Sequence, residues 1–338
     1  MQHKCCNIIF ALALCFTGIN TISAEPLRIV SYNVENLFHP AHDSVMTDST
    51  WAEKDDLEWT PEGERRWSYS RYYRKVESIA RVLTNIGEWE GVDIAGLQEV
   101  ENAACLRKLC YTLRRGEYDF VHYESPDPRG IDVALVYKKA RVDTINSRAI
   151  RVADSRNDGM RAAKPLNDEL KTRDILYVCT RVDKKDTLHL LVCHLPSQRS
   201  GTAETEWKRT AVKKVLQGAV DSIYGTHPDA KIIVMGDFND TPRQDLHGLR
   251  NRMVVENQKS KVESYGTHKY HGQWNCLDQF YTSPAIDSLS TVRIYNAEWV
   301  QEPDEKYLGL RPKRTFNGFH YQKDGFSDHL PIVMEITN

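Results

Sequence analysis

The chain has 338 residues, 41% hydrophobic and 27% charged, which describes a folded globular protein and excludes a disordered or fibrous one. Its net charge of −2 makes whole-molecule attraction to nucleic acid or an anionic membrane weak, so any binding of a polyanion must be local.

The first element is a leader. Lys4 precedes an apolar run over residues 8–16, and Ile22-Ser-Ala24 ends in small residues before Glu25. That order matches a secretory signal peptide cleaved near Ala24, and the run is too short to span a bilayer. Residues 1–24 are set apart from the fold, loss of Lys4 takes the net charge to −3, and export to the periplasm or the exterior is expected. Cys15 would suit a lipid anchor, but Leu14 stands before it where a small residue is needed, so lipoprotein anchoring is the less favoured alternative. No later segment approaches ~18 apolar residues, and no stable membrane insertion is expected. Cys105, Cys110, Cys179, Cys193 and Cys276 remain, an odd number without zinc-ligand spacing. A disulfide framework or structural zinc is therefore not expected, although one incidental bridge stays open. Cys179 and Cys193 lie in apolar runs, as small buried hydrophobes do.

Residues 27–32 alternate as a strand that ends in Asn33-Val-Glu35, and the polar stretch 40–66, with Glu53, Asp55, Asp56 and Glu58, reads as a solvated loop. Tyr72, Val76, Ile79, Leu83 and Ile86 then recur at helical spacing, with Gly87 as the stop. A buried strand over 93–99 closes on Glu99, and a helix begins near Glu101. Strands at 118–123 and 132–137 flank the turn-forming loop 124–130, and 154–173 looks irregular. Strands at 175–182 and 188–193 are joined by a charged turn over 183–186, and the second runs into His194.

Val212, Val215, Leu216, Ala219 and Ile223 mark a helix leading into Lys231-Ile-Ile-Val-Met-Gly-Asp-Phe-Asn-Asp240. Residues 232–235 fit a strand buried on both faces, and Gly236 lets the chain turn, so Asp237 and Asn239 sit at a strand's C-terminal mouth. Open α/β sheets bind ligands there, yet a capped turn explains this stretch equally well by itself. Asp240 is expected only to cap the turn before Pro242. Strands at 277–281 and 292–295, then a polar turn and a last strand over 326–336, complete the chain. No repeat or linker interrupts it, and residues 25–338 are expected to form a single α/β domain.

What decides between cap and site is that other strands end the same way. Asn33, Glu35, Glu99, His194, Asp237, Asn239, Asp278, Asp328 and His329 come from six separate segments, all carboxylates, amides or imidazoles. Oxygen-rich donors without thiolates suit Mg²⁺ or Mn²⁺, and hydrolysis at phosphorus needs such a cation, an oriented water and help for the leaving oxygen.

With these residues in place the chain resembles the endonuclease/exonuclease/phosphatase superfamily. The matching motifs, in order, are Ser31-Tyr-Asn-Val-Glu35, Leu97-Gln-Glu99, Gly130-Ile-Asp-Val-Ala-Leu135, Cys193-His-Leu195, Gly236-Asp-Phe-Asn239, Leu277-Asp278 and Ser327-Asp-His-Leu-Pro331. The resemblance implies a deoxyribonuclease-I-like four-layer α/β sandwich, with two mixed β-sheets packed face to face and helices on the outside. It implies Glu99 as principal metal ligand, with Asn33 and Glu35 close by and Asp328 on the opposite side. Asp237 and Asn239 would contact the phosphate and orient the water. Asp278 would pair with His329, and His194 would bind a non-bridging oxygen or protonate the leaving group. His39, His42, His227, His268, His271 and His320 match no motif and are expected at the surface.

The implied activity is metal-dependent phosphate ester hydrolysis, metal-activated water attacking phosphorus with histidine and aspartate assistance. The substrate is expected to be DNA, RNA or a nucleotide-like ester. Alternatives are a sphingomyelinase-like or inositol-phosphate phosphatase-like enzyme and, in another class, a non-catalytic phosphate-binding module. Arg65, Arg66, Arg71, Arg74 and Lys75 interleave with Trp67, Tyr69, Tyr72 and Tyr73 as a candidate nucleic-acid face, with Arg311-Pro-Lys-Arg314 as a second. Such a cluster is equally an ordinary solvated helix face. Residues 265–274, aromatic and polar, are expected on the site's rim. No protein partner is inferred.

Overall fold

Alternation of inward and outward apolar residues along the strands gives each sheet two buried faces. In the computed structural model of the protein, residues 25–41, 57–152, 170–199, 201–253 and 266–337 are described. The leader, His42, the acidic residues Glu53, Asp55 and Asp56, most of 154–173, and Tyr265 lie outside them.

In chain order the first half runs β1 (Leu27–Leu37), α1 (Tyr69–Ile86), β2 (Ile94–Val100), α2 (Ala103–Arg114), β3 (Tyr118–His122), β4 (Asp132–Lys138), β5 (Val142–Ile150), β6 (Ile175–Val182) and β7 (Asp186–His194). The second half runs α3 (Thr202–Thr226), β8 (Lys231–Asp237), β9 (Arg250–Asn251), β10 (His268–Tyr270), β11 (Gln273–Asn275), β12 (Asp278–Thr282), α4 (Pro284–Asp287) and β13 (Ser290–Ile294). It ends with β14 (Gln301–Pro303), β15 (Leu310–Pro312), β16 (Phe316–Asn317), β17 (His320–Tyr321) and β18 (Ile332–Ile336).

Two six-stranded mixed sheets form the body. Sheet one has the order β13-β18-β1-β2-β4-β3 and sheet two the order β5-β6-β7-β8-β12-β9. β1 runs parallel to β2, and β7 to β8; the other pairs are antiparallel. Ile29, Ile94 and Leu135 of sheet one meet Val178, Leu190, Ile233, Met235 and Phe280 of sheet two in the central core. The alternate residues Val30, Leu97 and Val136 face outward onto α1 and α2, and Leu191, Ile232 and Val234 face α3. Helix, sheet, sheet, helix is the four-layer arrangement expected.

Local chemistry sets the element ends. α1 starts where the Ser68 side chain accepts from Arg71 N–H and stops at Gly87. α2 starts at Asn102, whose side chain accepts from the Ala104 and Cys105 N–H groups, a cap of about 1 kcal/mol. The 183–186 turn holds Asp183 and Lys184 at φ 48° and 59°, the left-handed pair that matches strand twist in a tight hairpin. α3 begins at Thr202, ten residues before the apolar marks in the sequence. β5 was not anticipated, because as an edge strand with mostly exposed residues it shows no apolar alternation. All five cysteines are free, with Cys179 and Cys193 buried.

Candidate active site

Gly236 decides how closely β7 and β8 approach at their C-terminal ends. Its φ is 151°, and a Cβ there would lie 1.8 Å from the Cys193 carbonyl oxygen. With no side chain in the way the ladder runs to the strand ends, pairing His194 with Asp237 and, on the other side, Asp237 with Asp278. Three strands thus place three ionisable side chains side by side at one mouth.

Sheet one reaches the same mouth by breaking its ladders. The β1–β2 register shifts between Asn33 and Leu37, and the β2–β4 register between Gln98 and Val100. The residues in these bulges, Glu35, Asn36 and Glu99, have φ of 52°, 57° and 65°, and Asn239 after β8 has 47°. Non-glycine residues held there cost roughly 1–3 kcal/mol each and gather at functional sites.

The side chains form a continuous file. The ring of His268 packs 4.8 Å from that of His329, and His329 Nε2 lies 3.8 Å from Asp237 Oδ2. His194 Nε2 lies 3.4 Å from that same oxygen and 4.0 Å from Glu99 Oε1. Arg129 Nη2 stands 3.9 Å from Glu99 Oε1 at the far end. Asn33 closes the mouth from sheet one, its Nδ2 donating to Asp237 Oδ2 at 3.1 Å. The Asn239 backbone N–H donates to Asp237 Oδ1 at 2.8 Å, and Asn239 Nδ2 to the Leu195 carbonyl at 2.9 Å.

His329 Nδ1 meets Asp278 Oδ2 at 2.7 Å. Burial pulls the imidazole pKa down, but Asp278 and Asp237 outweigh it and hold it well above the usual histidine range. His194 goes the other way: burial, with Arg173, Arg129 and His329 nearby, holds it well below. Burial and the charge of Asp278 push Asp237 up to about 7, against His329 and the hydrogen bonds from Asn239 and Asn33. One mouth therefore holds a cationic imidazole, a neutral imidazole and a carboxyl poised near neutrality.

Two sequence expectations change. Glu35, expected as a ligand beside Asn33, accepts from Thr315 N–H at 2.5 Å and Phe316 N–H at 3.3 Å, with Lys75 Nζ 4.0 Å away. Burial and the nearby Asp328 charge push its carboxyl up to about 7. Its oxygens are committed to anchoring the 315–316 backbone, which leaves Glu99 as the open carboxylate of this side. Glu99 accepts one hydrogen bond, from Asn36 N–H at 3.0 Å, and its side chain is 12% exposed.

The basic cluster around the start of α1 departs from expectation in part, although Arg66 and Arg74 are exposed. Lys75 is fully buried, donating to Thr315 Oγ1 and, at 2.5 Å, to the Phe326 carbonyl. Arg65 pairs with Glu58 and stacks on Trp59, Phe316 and Phe319. Trp67 and Tyr72 are core residues, and Arg311 pairs with Glu302.

Asp328 stands beyond His329, with Oδ2 4.0 Å from His268 Nε2. Burial pushes its carboxyl up, yet His329, His268, Arg314 and Lys75 outweigh this and hold it below the usual range. His268 was expected at the surface, but a backbone bridge joins it to His329. Burial and the His329 charge bring its imidazole down to about 4. His227, His271 and His320 are exposed as expected, and His39 is half-buried. Arg129 and His268 are the site residues that sequence reading missed. The only hint of the first was its place directly before the Gly130 motif.

The donor set fits a hard divalent cation. Glu99 offers an oxygen at the mouth, Asp328 offers another, and Mg²⁺ takes one or two carboxylates plus substrate oxygens rather than a full protein cage. Among the described residues, buried His194 Nδ1, Asp278 Oδ1 and His268 Nδ1 have no hydrogen-bond partner, so the mouth still holds polar capacity for a ligand.

Comparison with known proteins identifies the family and the fold. The sequence profile of the Endonuclease/Exonuclease/phosphatase family matches residues 28–338, while a search of curated protein sequences returns no match. Among solved structures, the human Nocturnin catalytic domain with bound sulfate superposes with a TM-score of 0.55 at 17% identity, covering 94% of each chain. TDP2 from Caenorhabditis elegans gives 0.55 at 17%, covering 93% of this chain and 75% of that one. A mannosyl-6-phosphatase from Bacteroides thetaiotaomicron gives 0.52 at 15%, covering 92% and 100%. At these identities the structures speak for the fold. The profile speaks for the family: the chain belongs to the endonuclease/exonuclease/phosphatase family, a family of phosphate ester hydrolases.

Proposed function

We infer that the protein is a Mg²⁺- or Mn²⁺-dependent phosphodiesterase acting on a nucleotide-like ester. The observation that carries this is the file from His329 through Asp237 and His194 to Glu99, in which neighbouring groups hold opposite protonation states.

Glu99, with Asn33 beside the mouth and Asp328 on the far side, would hold the cation. A cation there supplies Lewis-acid polarisation of the phosphoryl oxygen and lowers the pKa of a bound water. Asp237, fixed by Asn33 and Asn239 and near neutrality in pKa, takes the proton of the attacking water, as a base matched to operating pH does best. His329, kept cationic by Asp278, places positive charge against the oxygens that become negative at the transition state. His194, neutral and buried, donates a hydrogen bond to a non-bridging oxygen.

Substrate class rests on the rim. Two residues from His268, Tyr270 is 62% exposed and stacks on His271 at 4.0 Å, with Tyr307 next to it. That platform suits a base or a sugar, and burial of Lys75 together with the Arg65–Glu58 pair removes two cations from the basic cluster that a long polyanion would need. A second reading, a lipid-headgroup ester, is favoured by Leu308, 78% exposed beside Tyr307 and Leu310 on the same rim. No helix among the described residues is long and apolar enough to cross a membrane, so such a substrate would be met at a surface.

One panel separates these readings: phosphomonoesters, phosphodiesters, DNA, RNA and phospholipid vesicles under a single Mg²⁺ condition. High turnover of small nucleotide esters with a flat salt response supports the first. Cleavage of DNA or RNA that falls steeply with salt, as counterion release requires, would replace it with a nuclease, and vesicle-only activity would select the lipid ester. The leader-like sequence of residues 1–24 supports export, so the proposed site of action is outside the cytoplasm. An N-terminus at Glu25 on exported protein would support that, and an intact leader on protein retained inside the cell would not.

A further inference from the structure

The loop between β3 and β4 is mounted more rigidly than a turn needs. Asp127 Oδ1 accepts from the Arg129 N–H at 3.0 Å, and the Asp127 carbonyl accepts from Gly130 N–H at 3.0 Å. The other carboxylate oxygen of Asp127 is held by Arg173 Nη1 at 2.6 Å, and Arg173 Nη2 donates to the Leu195 carbonyl at 2.9 Å. Both Asp127 and Arg173 are buried. The loop is thereby tied to the residue that follows His194, at the mouth of the site.

On this mount the Arg129 side chain makes no hydrogen bond among the described residues. Its Nη2 stops 3.9 Å from Glu99 Oε1 and its Nε 3.7 Å from Asp127 Oδ1, with the side chain 29% exposed. A structural arginine–carboxylate pair closes to about 2.7–2.9 Å, often with two parallel bonds. Here a permanently charged fork of five donors is held over an open carboxylate at a distance that gives loose ion pairs but no hydrogen bond. The planar spacing of those donors matches two oxygens of a phosphate.

We propose that Arg129 is the phosphate clamp of this site, its fork donating to non-bridging oxygens of the ester and of the phosphomonoester product, for which inorganic phosphate serves as the probe. The proposal rests on the phosphoesterase reading above. Glu99 attracts Arg129 while its carboxylate is uncompensated; charge compensation at Glu99 by a divalent cation removes that competitor and frees the fork for the phosphate. Arg129 and the cation repel each other, and phosphate attracts both. Cation and phosphate therefore bind with positive coupling, and by linkage each strengthens the other by the same factor.

This predicts an asymmetry that a merely structural arginine would not give. Calorimetric titrations of Mg²⁺ and of inorganic phosphate into the wild type, Arg129→Ala and Arg129→Lys decide it, beside KM and kcat for bis-p-nitrophenyl phosphate. Arg129→Ala is expected to weaken phosphate binding in the presence of Mg²⁺ by about tenfold or more, the effect of losing charged hydrogen bonds. It should tighten Mg²⁺ binding measured without phosphate, and raise KM more than it lowers kcat. Arg129→Lys should recover part of the phosphate affinity, because charge returns without the fork. Unchanged phosphate affinity in Arg129→Ala, or a joint weakening of phosphate and Mg²⁺ with a lowered Tm, would overturn the clamp. A wild type without metal-dependent hydrolysis would sink the phosphoesterase reading, while the phosphate titrations would still decide Arg129.

Discussion

Sheet two delivers His194, Asp237 and Asp278 from unbroken ladders, three strands ending in register, whereas sheet one delivers Glu35, Asn36 and Glu99 from bulges with left-handed backbone. The first group is 0–3% exposed; the Glu99 side chain is 12% exposed. Ladder ends fix spacing, which suits groups whose protonation states must be set by one another. Bulges push a carboxylate out of the sheet, which suits exchange of a cation with solvent. Within sheet one the division repeats, since Glu35 is drawn inward to Thr315 and Phe316 while Glu99 keeps an open oxygen.

If that division holds, Glu99→Ala should show the largest effect, a loss of about a thousandfold in kcat, the upper end for removing one stabilising group. Mg²⁺ affinity should fall with it, while Tm should change little, because alanine keeps the Cβ and with it the left-handed backbone of the bulge. Calorimetry and thermal melts check both; retained Mg²⁺ affinity would move the cation away from sheet one.

Asp278→Asn should come next, about a hundredfold in kcat. It also carries a sign. The folded-state pKa of His329 is raised, so its cation persists through neutral pH and is lost only as pH climbs through that raised value. Without the Asp278 carboxylate the proton leaves at lower pH, and the alkaline limb of the kcat profile should shift toward neutrality. An unmoved limb would detach His329 from the profile.

Glu35→Gln should affect activity least, by under about tenfold, while costing about 3 kcal/mol of stability because it leaves buried Lys75 without its carboxylate. Urea melts and Mg²⁺ titrations sharpen the contrast with Glu99. A Glu35 variant that loses Mg²⁺ at full stability would restore it as a ligand.

The same contrast explains what could be read from sequence. The ladder-end residues were legible because an apolar run that stops at a glycine and an acid says both strand and mouth, as in Met235-Gly-Asp237. α1 was legible from its period down to the Gly87 stop. That Glu35 would turn away from the ligand set was not legible, because like Glu99 it is an acid at a strand's end, and what draws it inward is a pair of N–H groups some 280 residues away in sequence. His268 was hidden in a three-residue strand, too short to show a period. Arg129 was hidden in a proline-rich turn whose rigidity comes from Arg173, a long-range partner.

The central claim is that a divalent cation held by Glu99 works with the His329–Asp278 pair on a phosphate ester. Release of p-nitrophenol from bis-p-nitrophenyl phosphate tests it most directly, in purified wild type and in the Glu99→Ala, His329→Ala double variant, before and after chelation. Release that stops on chelation, returns with Mg²⁺ and is absent from the double variant is the predicted result. Release that survives chelation, or that the double variant retains, would contradict it.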